Sequence, residues 1–496
     1  MAELSYYDIL AKLVSVAKGF SNEIYINYPV ITPKKRGFLE KSLSEGLGKR
    51  LEMPLTEFLI QNVDKVKNHI NVYIDNLIHM YEENKKINNG SLKGCTQKDI
   101  AYIILDLMSG FNIALADRIE VIKTNGYANK SPLNNNWNYC GLKLYPRYGA
   151  YWEHTRKGKQ RGLEYTHLIS NFWDCTNPNK DGYNFNNVFG RIDYQKKLLP
   201  IKRDRKLTIG MSGVSNLPAF KVDLGEDGEK DIFNVELERD LETKIIEVFK
   251  KACEEKVDIL IFPEMLGSEN INKKLKQIIR EMSLLGERLP ILTITPTKWE
   301  NNVNELIVYD CEAFSVLKQK KLVPYEYQVN GKIYIENIKL DKDVKILHIE
   351  GLGRILFPIC KTFIHSTFET LTKDIKPTLI LCPSYSSKNY DFKVTAGTLA
   401  KIDCNFSWCN CCEAVLSSQS KDKCSDVEEQ TLCTEKRIIG FTTQHGNIYE
   451  EKNSLFEIPN DCLLNRKFKN EECSKVCFQK HYIKFEGESD ETSTKS

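Results

Sequence analysis

The chain has 496 residues, 41% of them hydrophobic and 28% charged, with a formal net charge of +3. That balance suits a folded protein of two or three domains with at least one large core, and so small a net charge neither requires nor forbids a polyanionic partner. No apolar run of about 18 residues offers a membrane span, and no basic-then-apolar leader follows Met1, so the expected setting is a reducing cytoplasm in which the 16 cysteines remain thiols.

Residues 1–123 are expected to form a mainly helical N-terminal region. Ile9, Leu10, Leu13, Val14 and Ala17 recur at helical spacing, and Phe58, Leu59, Val63, Val66, Ile70, Ile74, Leu77 and Ile78 continue the pattern over 55–82. A third apolar pattern runs from Ile100 to Ile122. Thr96-x-x-Asp99 before it is similar to a capping box with Asp in place of Glu or Gln. Residues 124–204 change character. Trp137, Tyr139, Tyr145, Tyr148, Tyr151 and Trp152 precede Arg156, Lys157, Lys159 and Arg161. Aromatics interleaved with basic residues can stack on bases and contact phosphates, which makes nucleic acid one candidate partner. The reading favoured by the composition is an irregular, aromatic-stapled subdomain or linker with a solvated basic loop.

From 205 the text alternates between strand and helix. Residues 206–211 form a short strand. Leu237, Leu241, Ile245, Val248, Phe249 and Ala252 define one face of a helix, and Val257–Phe262 is a buried strand. Another helix is expected over 270–285. Strands are expected at 291–295, 305–309, 312–318, 344–349, 354–359 and 378–382. Continuous apolar strands alternating with helices point to a layered α/β fold over 205–485. The polar tail 486–496 is expected to be disordered.

Three strand ends carry reactive side chains. Phe262-Pro263-Glu264 places a carboxylate at a strand rim, where proline ends the ladder. Lys320-Lys321-Leu322-Val323-Pro324-Tyr325-Glu326 follows a second strand. Phe357-Pro358-Ile359-Cys360-Lys361 presents a thiol after a β-rich run and before a helix, where the local dipole favours thiolate. The order Glu, Lys, Cys with strands between is far rarer than any one of the three.

On these residues the region from about 206 to 485 resembles the nitrilase, or carbon–nitrogen hydrolase, superfamily. Leu381-Cys382-Pro383-Ser384-Tyr385, Asn405–Asn410 and Gln444-His445-Gly446-Asn447-Ile448 are similar to its later strands and turns. The resemblance implies a four-layer αββα sandwich that often dimerises through its helical faces. It also implies hydrolysis of a small amide or nitrile with no cofactor. Cys360 would be the nucleophile, Glu264 the general base and Lys321 the stabiliser of the tetrahedral charge, with Glu326, Lys361 and Ser384 lining the substrate site. Lys318, Lys320 and Lys321 crowd the lysine motif; the Lys-x-x-Pro spacing selects Lys321. Thr362 stands where many members carry an acidic or small residue. The Lys-x-x-Pro-Tyr-Glu wording also resembles nitrilase-like domains found beside bacterial defence reverse transcriptases, a pointer to an antiviral setting.

Nine of the cysteines lie after residue 400. Cys473-x-x-x-Cys477-x-x-x-His481 would share a helix face, and Cys424 or Cys433 would complete a tetrahedral zinc site; reduced thiols without a metal are the favoured reading. The alternative to an enzyme is a nitrilase-fold scaffold whose N-terminal region binds a partner.

Overall fold

The computed structural model describes residues 6–21, 24, 74–79, 81–82, 97–114, 138–139, 142–152, 172–175, 182–190, 194–227, 230–400, 404–419, 437–444, 455–459, 473 and 476–485. The chain divides into two compact units. One comprises Met1–Tyr148 with His154–Pro178, the other Gly149–Glu153 with Asn179–Ser496.

In the smaller unit, α1 (Tyr6–Ala17) packs against α2 (Gln97–Ala114). The spacing read from sequence explains the contact. Ile9, Leu10, Leu13 and Val14 of α1 are fully buried, as are Ile100, Ile104, Leu107 and Phe111 of α2. The helix expected to reach Ile122 is described only to Ala114. Residues 55–73, Trp137 and the basic run Arg156–Arg161 lie outside the described residues. The aromatic stretch contains regular structure: β1 (Asn138–Tyr139), β2 (Leu142–Pro146) and β3 (Phe172–Cys175) form an antiparallel three-stranded sheet.

The larger unit is built on two seven-stranded sheets. Elements upstream of residue 205 also belong to this unit: β4 (Asn184–Phe189) pairs in parallel with β15 (Asp343–Ile349), and α3 (Tyr194–Asp204) leads directly into the first sheet. The Asn-rich text of β4 conceals a strand at a sheet edge. That first sheet includes β5 (Lys206–Ser212), β8 (Ile259–Ile261) and β9 (Leu292–Ile294), which are mutually parallel. Antiparallel β10 (Lys298–Glu300), β11 (Val303–Asp310) and β12 (Ser315–Lys320) extend one side, and β21 (Phe478–Lys484) closes the other against β5. The second sheet runs β20 (Leu455–Glu457), β19 (Ile438–Thr443), β18 (Asn405–Asn410), β17 (Leu379–Ser384), β16 (Gly353–Leu356), β15 and β4.

The two sheets face each other. Cys409 Sγ of β18 lies 3.4 Å from the carbonyls of both Ser212 and Ile261, and His481 Nδ1 of β21 lies 3.1 Å from Thr442 Oγ1 of β19. All six residues of β17 and of β18 are buried, as both-face burial demands. Along β18, Phe406 and Trp408 point the other way, toward α6 (Lys361–Ile364) and α8 (Tyr390–Ala400). Phe363 stacks on Phe406 at 4.1 Å between ring centroids, and Phe392 packs on Trp408 at 5.1 Å. The crossover helices α4 (Glu242–Glu254) and α5 (Glu269–Leu284) bury one face each and lie together on the opposite outer side, as parallel β-α-β connections in one sheet require. The order of layers is therefore αββα. Helix α7 (Ser366–Ile375) links β16 to β17, and α9 (Cys412–Gln419) follows β18.

A separate four-stranded sheet has the order β13 (Glu326–Val329), β14 (Lys332–Glu336), β7 (Lys230–Leu237) and β6 (Phe220–Asp227). Its apolar side, Phe233 and Val235 with Phe220, Val222 and Tyr334, packs on Met265 and Trp299. The next residue to Met265 is Glu264, so this sheet lies beside the strand ends that carry the reactive side chains. Among the described residues no helix is long and apolar enough to cross a membrane.

Candidate active site

Glu264, Lys321 and Cys360 each follow a strand: Glu264 lies past β8, Lys321 immediately past β12 and Cys360 past β16. Hydrogen bonds between the sheets fix the three segments at one end of the sandwich. The Glu264 N–H donates to the Ser384 carbonyl at 3.2 Å and the Cys360 N–H to the Pro383 carbonyl at 2.9 Å, so the end of β17 holds both. Thr362 Oγ1 accepts from the Leu322 and Val323 N–H groups at 3.2 and 3.3 Å, which ties the segment after Cys360 to the segment after Lys321. This is the work of the threonine that stood out in the sequence as a departure.

At the centre lies a buried ion triad. The Lys321 ammonium is 2.8 Å from Glu264 Oε1 and 2.7 Å from Glu336 Oε2, and all three side chains are 1% exposed or less. Asn304 Nδ2 donates to both carboxylates, at 2.9 Å to Glu264 and 3.1 Å to Glu336. The Tyr385 N–H donates to Glu264 Oε2 at 3.0 Å, and the Tyr325 N–H to Glu336 Oε2 at 2.9 Å. Charges taken so far from water persist only when paired and hydrogen-bonded, and here each carboxylate has at least three donors.

The environment sets the protonation preferences. Burial raises the Glu264 carboxyl above the usual carboxylate range; the negative charge of Glu336 adds to this, and Lys321 only partly offsets it. Burial alone would depress Lys321, but Glu264, Glu336 and Cys360 together hold its ammonium above the ordinary lysine range. Burial pushes the Cys360 thiol well up. The Glu264 charge and a hydrogen bond to Glu264 push it further, while Lys321 pulls it down. The resting thiol is thus held in its protonated form. Cys360 itself sits at φ 44°, ψ −112°, at the N-cap of α6, a backbone geometry that a β-carbon disfavours and that typically marks a functional position. Its Sγ lies 3.9 Å from the Tyr385 carbonyl.

Of the lysines in the motif, Lys318 points to solvent on β12 and Lys320 pairs with Asp341 at 3.1 Å, while Lys321 alone enters the triad. Glu326 does not join it. It is exposed on β13, and the second glutamate of the site is Glu336, ten residues on. The β13–β14 hairpin folds back so that the Glu336 N–H donates to the Tyr325 carbonyl, and the return strand rather than the outgoing one delivers the carboxylate. Ser384 is fully buried, with its hydroxyl 3.6 Å from Cys382 Sγ. Its backbone, not its side chain, holds Glu264. Lys361 is half-buried at the start of α6. Glu336 and Asn304 carried no sequence signal beyond being polar residues in strands. The aromatic surroundings are Tyr325, whose hydroxyl is pushed up chiefly by burial, and Tyr385 packed edge-on against Phe220 at 4.7 Å.

Among the described residues no group of three or more His, Cys, Asp or Glu is placed to hold a metal. The helix face that a zinc site would have needed is not present, because His481 lies in strand β21 rather than on a helix with Cys473 and Cys477. Its Nδ1 contacts Thr442. Cys424 and Cys433 lie outside the described residues.

No protein-family model and no curated protein matches the chain. Among solved structures it is similar to the C. elegans NitFhit protein, with 11% identity, a TM-score of 0.35, and 56% of this chain and 61% of that one covered. It is also similar to an amidase from Nesterenkonia sp. AN1 described as of the nitrilase superfamily, with 11% identity, a TM-score of 0.30, and 41% and 76% covered. A third is the glutamine-dependent NAD+ synthetase from Acinetobacter baumannii, with 14% identity, a TM-score of 0.30, and 42% and 38% covered. The chain thus spans less than two thirds of the length of NitFhit and of the synthetase. The αββα description of the larger unit stands on its own strand order and on the contacts between its layers.

Proposed function

We propose that the larger unit is a cysteine-dependent hydrolase of a small, non-peptide carbon–nitrogen bond, an amide or a nitrile, with Glu264, Lys321 and Cys360 as the catalytic triad. The observation that carries this reading is the buried Lys321 ammonium held between Glu264 and Glu336 and in electrostatic contact with Cys360. A fixed positive charge in a dry pocket, next to a nucleophile and a base, is suited to stabilising a developing oxyanion.

For an amide, Glu264 takes the thiol proton as Cys360 Sγ bonds to the carbonyl carbon. Lys321 faces the resulting oxyanion. Glu264 returns the proton to the nitrogen, the C–N bond breaks, and ammonia leaves a thioester on Cys360. Glu264 then accepts a proton from water as the water oxygen adds to the thioester carbon, and the C–S bond breaks to release the acid and the thiol. A nitrile enters the same sequence through a thioimidate. Glu336, paired with Lys321 at 2.7 Å, positions the ammonium.

Ammonia release from a panel of amides and nitriles, read together with intact mass, tests this. The expected result is turnover of at least one substrate and an acyl adduct on Cys360. The Cys360→Ala variant should lose the adduct and about 10³-fold or more in kcat/KM. A folded Cys360→Ala protein with undiminished turnover would overturn the reading and favour a scaffold. Exposed Tyr390 and Val394 on α8 support self-association through the outer helical layer, which light scattering measures. The antiviral setting is supported by the lysine-motif resemblance, and it predicts that Cys360→Ala abolishes protection of a bacterial host from phage.

A further inference from the structure

Five of the buried thiols in the larger unit, at Cys409, Cys411, Cys412, Cys473 and Cys477, do not share one environment. Cys409 Sγ points at the Ser212 and Ile261 carbonyls, and Cys411 Sγ at the Ser215 carbonyl at 3.3 Å. Both are engaged with backbone on the neighbouring sheet. Cys412 and Cys477 instead face each other, Sγ to Sγ at 3.5 Å, with 1% and 3% exposure. They come from distant parts of the chain: Cys412 begins α9 just after β18 of the second sheet, and Cys477 immediately precedes β21 of the first. The surrounding backbone fixes Cys412 firmly. Its N–H donates to the Gly213 carbonyl at 3.1 Å, and its sulfur sits 2.3 Å from where a β-carbon at Gly213 would be. Only glycine at 213 leaves room for that sulfur.

We propose that Cys412 and Cys477 form a reversible disulfide that locks the C-terminal strand β21 onto the end of β18. To form the bond the two sulfurs close from 3.5 Å to the disulfide length of about 2.05 Å. With a low-molecular-weight disulfide such as oxidised glutathione as the oxidant, the thiolate of one cysteine attacks it and one glutathione thiolate leaves. The second cysteine, deprotonated, then attacks the mixed disulfide and displaces the other glutathione. The protein loses two electrons and two protons, and the oxidant becomes two glutathione thiols. The bond joins the two sheets and closes a loop of some sixty residues, so it restricts the unfolded chain strongly. It also reaches toward the candidate site. Two residues before Cys412, the Asn410 side chain accepts from the Ser386 N–H at 2.8 Å and donates to the Ser386 carbonyl at 2.7 Å. Ser386 adjoins Tyr385, whose N–H holds Glu264.

The full-length protein, incubated with oxidised glutathione, alkylated under denaturing conditions and digested, tests the pairing. The expected result is a peptide pair joining Cys412 to Cys477 that disappears on treatment with dithiothreitol. Oxidation should raise Tm by about 5 °C or more. Cys412→Ser and Cys477→Ser should each abolish both the cross-link and the oxidant-dependent rise. Complete alkylation of both thiols in the oxidised protein, or their pairing with other cysteines, overturns the proposal. The mapping is done on the unsubstituted chain, so it decides the matter even if the serine variants do not fold, and it is independent of whether Cys360 turns over a substrate.

Discussion

Lys321 holds two carboxylates, and removing one partner of a buried ion group leaves the others uncompensated. Lys321→Met should cost about 3–5 kcal/mol of stability, because Glu264 and Glu336 would then face each other without a cation. The shift in a urea unfolding midpoint measures this. Glu336→Gln should behave differently. The charge of Glu336 helps to raise the Glu264 carboxyl, so its removal lowers it. A base must be deprotonated to accept a proton, so the acid limb of kcat/KM should lie above the usual carboxylate range in the parent and move to lower pH in Glu336→Gln. A limb that stays put would show that Glu264 is not the group titrating. The legibility of these residues was uneven for a physical reason. Glu264 and Cys360 follow short apolar strands, which makes their strand-end position readable. Lys321 was separable from Lys320 only by motif spacing, and the structure shows them on opposite sides of the chain. Glu336 was not readable, because the hairpin brings it to the lysine from across a turn, while Glu326, nearer in sequence, points to water.

The short helix α6 couples packing to the nucleophile. Phe363 is fully buried between Phe406, Phe392 and Phe368, and it lies three residues after Cys360. Phe363→Ala should cost about 3–5 kcal/mol through the cavity it leaves. It should also lower turnover, since Thr362 in the same turn is the bond between the Cys360 and Lys321 segments. Phe363→Leu, which keeps most of the volume, should retain both; thermal unfolding and ammonia release measured together separate the two effects. The elements that were readable are those whose apolar text is continuous, such as β8 and β17, while β18, with Asn405, Ser407 and Asn410 in it, was placed only by the family resemblance. Hairpins β6–β7 and β13–β14 were not, because their strands mix charged and apolar residues in a separate sheet with one solvated side. The strand expected at 312–318 begins at Ser315. Asp310 Oδ1 accepts from the Glu312 and Phe314 N–H groups, and Ala313 sits at φ 65°, which makes a turn of residues that the apolar text suggested were extended.

Across the whole larger unit, two buried histidines should make the sandwich sensitive to mild acid. His348 on β15 is fully buried, stacked on Phe189 at 4.8 Å between centroids, with Nε2 2.8 Å from Asn187 Oδ1. Burial, with Arg354 nearby, pushes it down to about 3. Burial pushes His481, in the other sheet, down to about 4. In the unfolded chain each imidazole takes a proton near pH 6.5. Above that pH neither state is protonated, so these groups add no slope. Below it the unfolded state binds protons that the folded state refuses, and stability falls until the folded pKa is reached. The loss should amount to about 2 kcal/mol from each histidine at pH 5. Surface carboxylates act lower: Lys480 holds Glu255, and Lys298 holds Glu269, below the usual carboxylate range, so their contribution is lost only in stronger acid. Unfolding free energies from denaturant titrations at pH 7 and pH 5 should therefore differ by about 4 kcal/mol, and His348→Gln and His481→Gln should each flatten that difference by about half. Because the two residues lie in different sheets, one contacting Asn187 and the other Thr442, their effects should add in the double variant. A double variant with the parent's full acid sensitivity would place the titrating groups elsewhere.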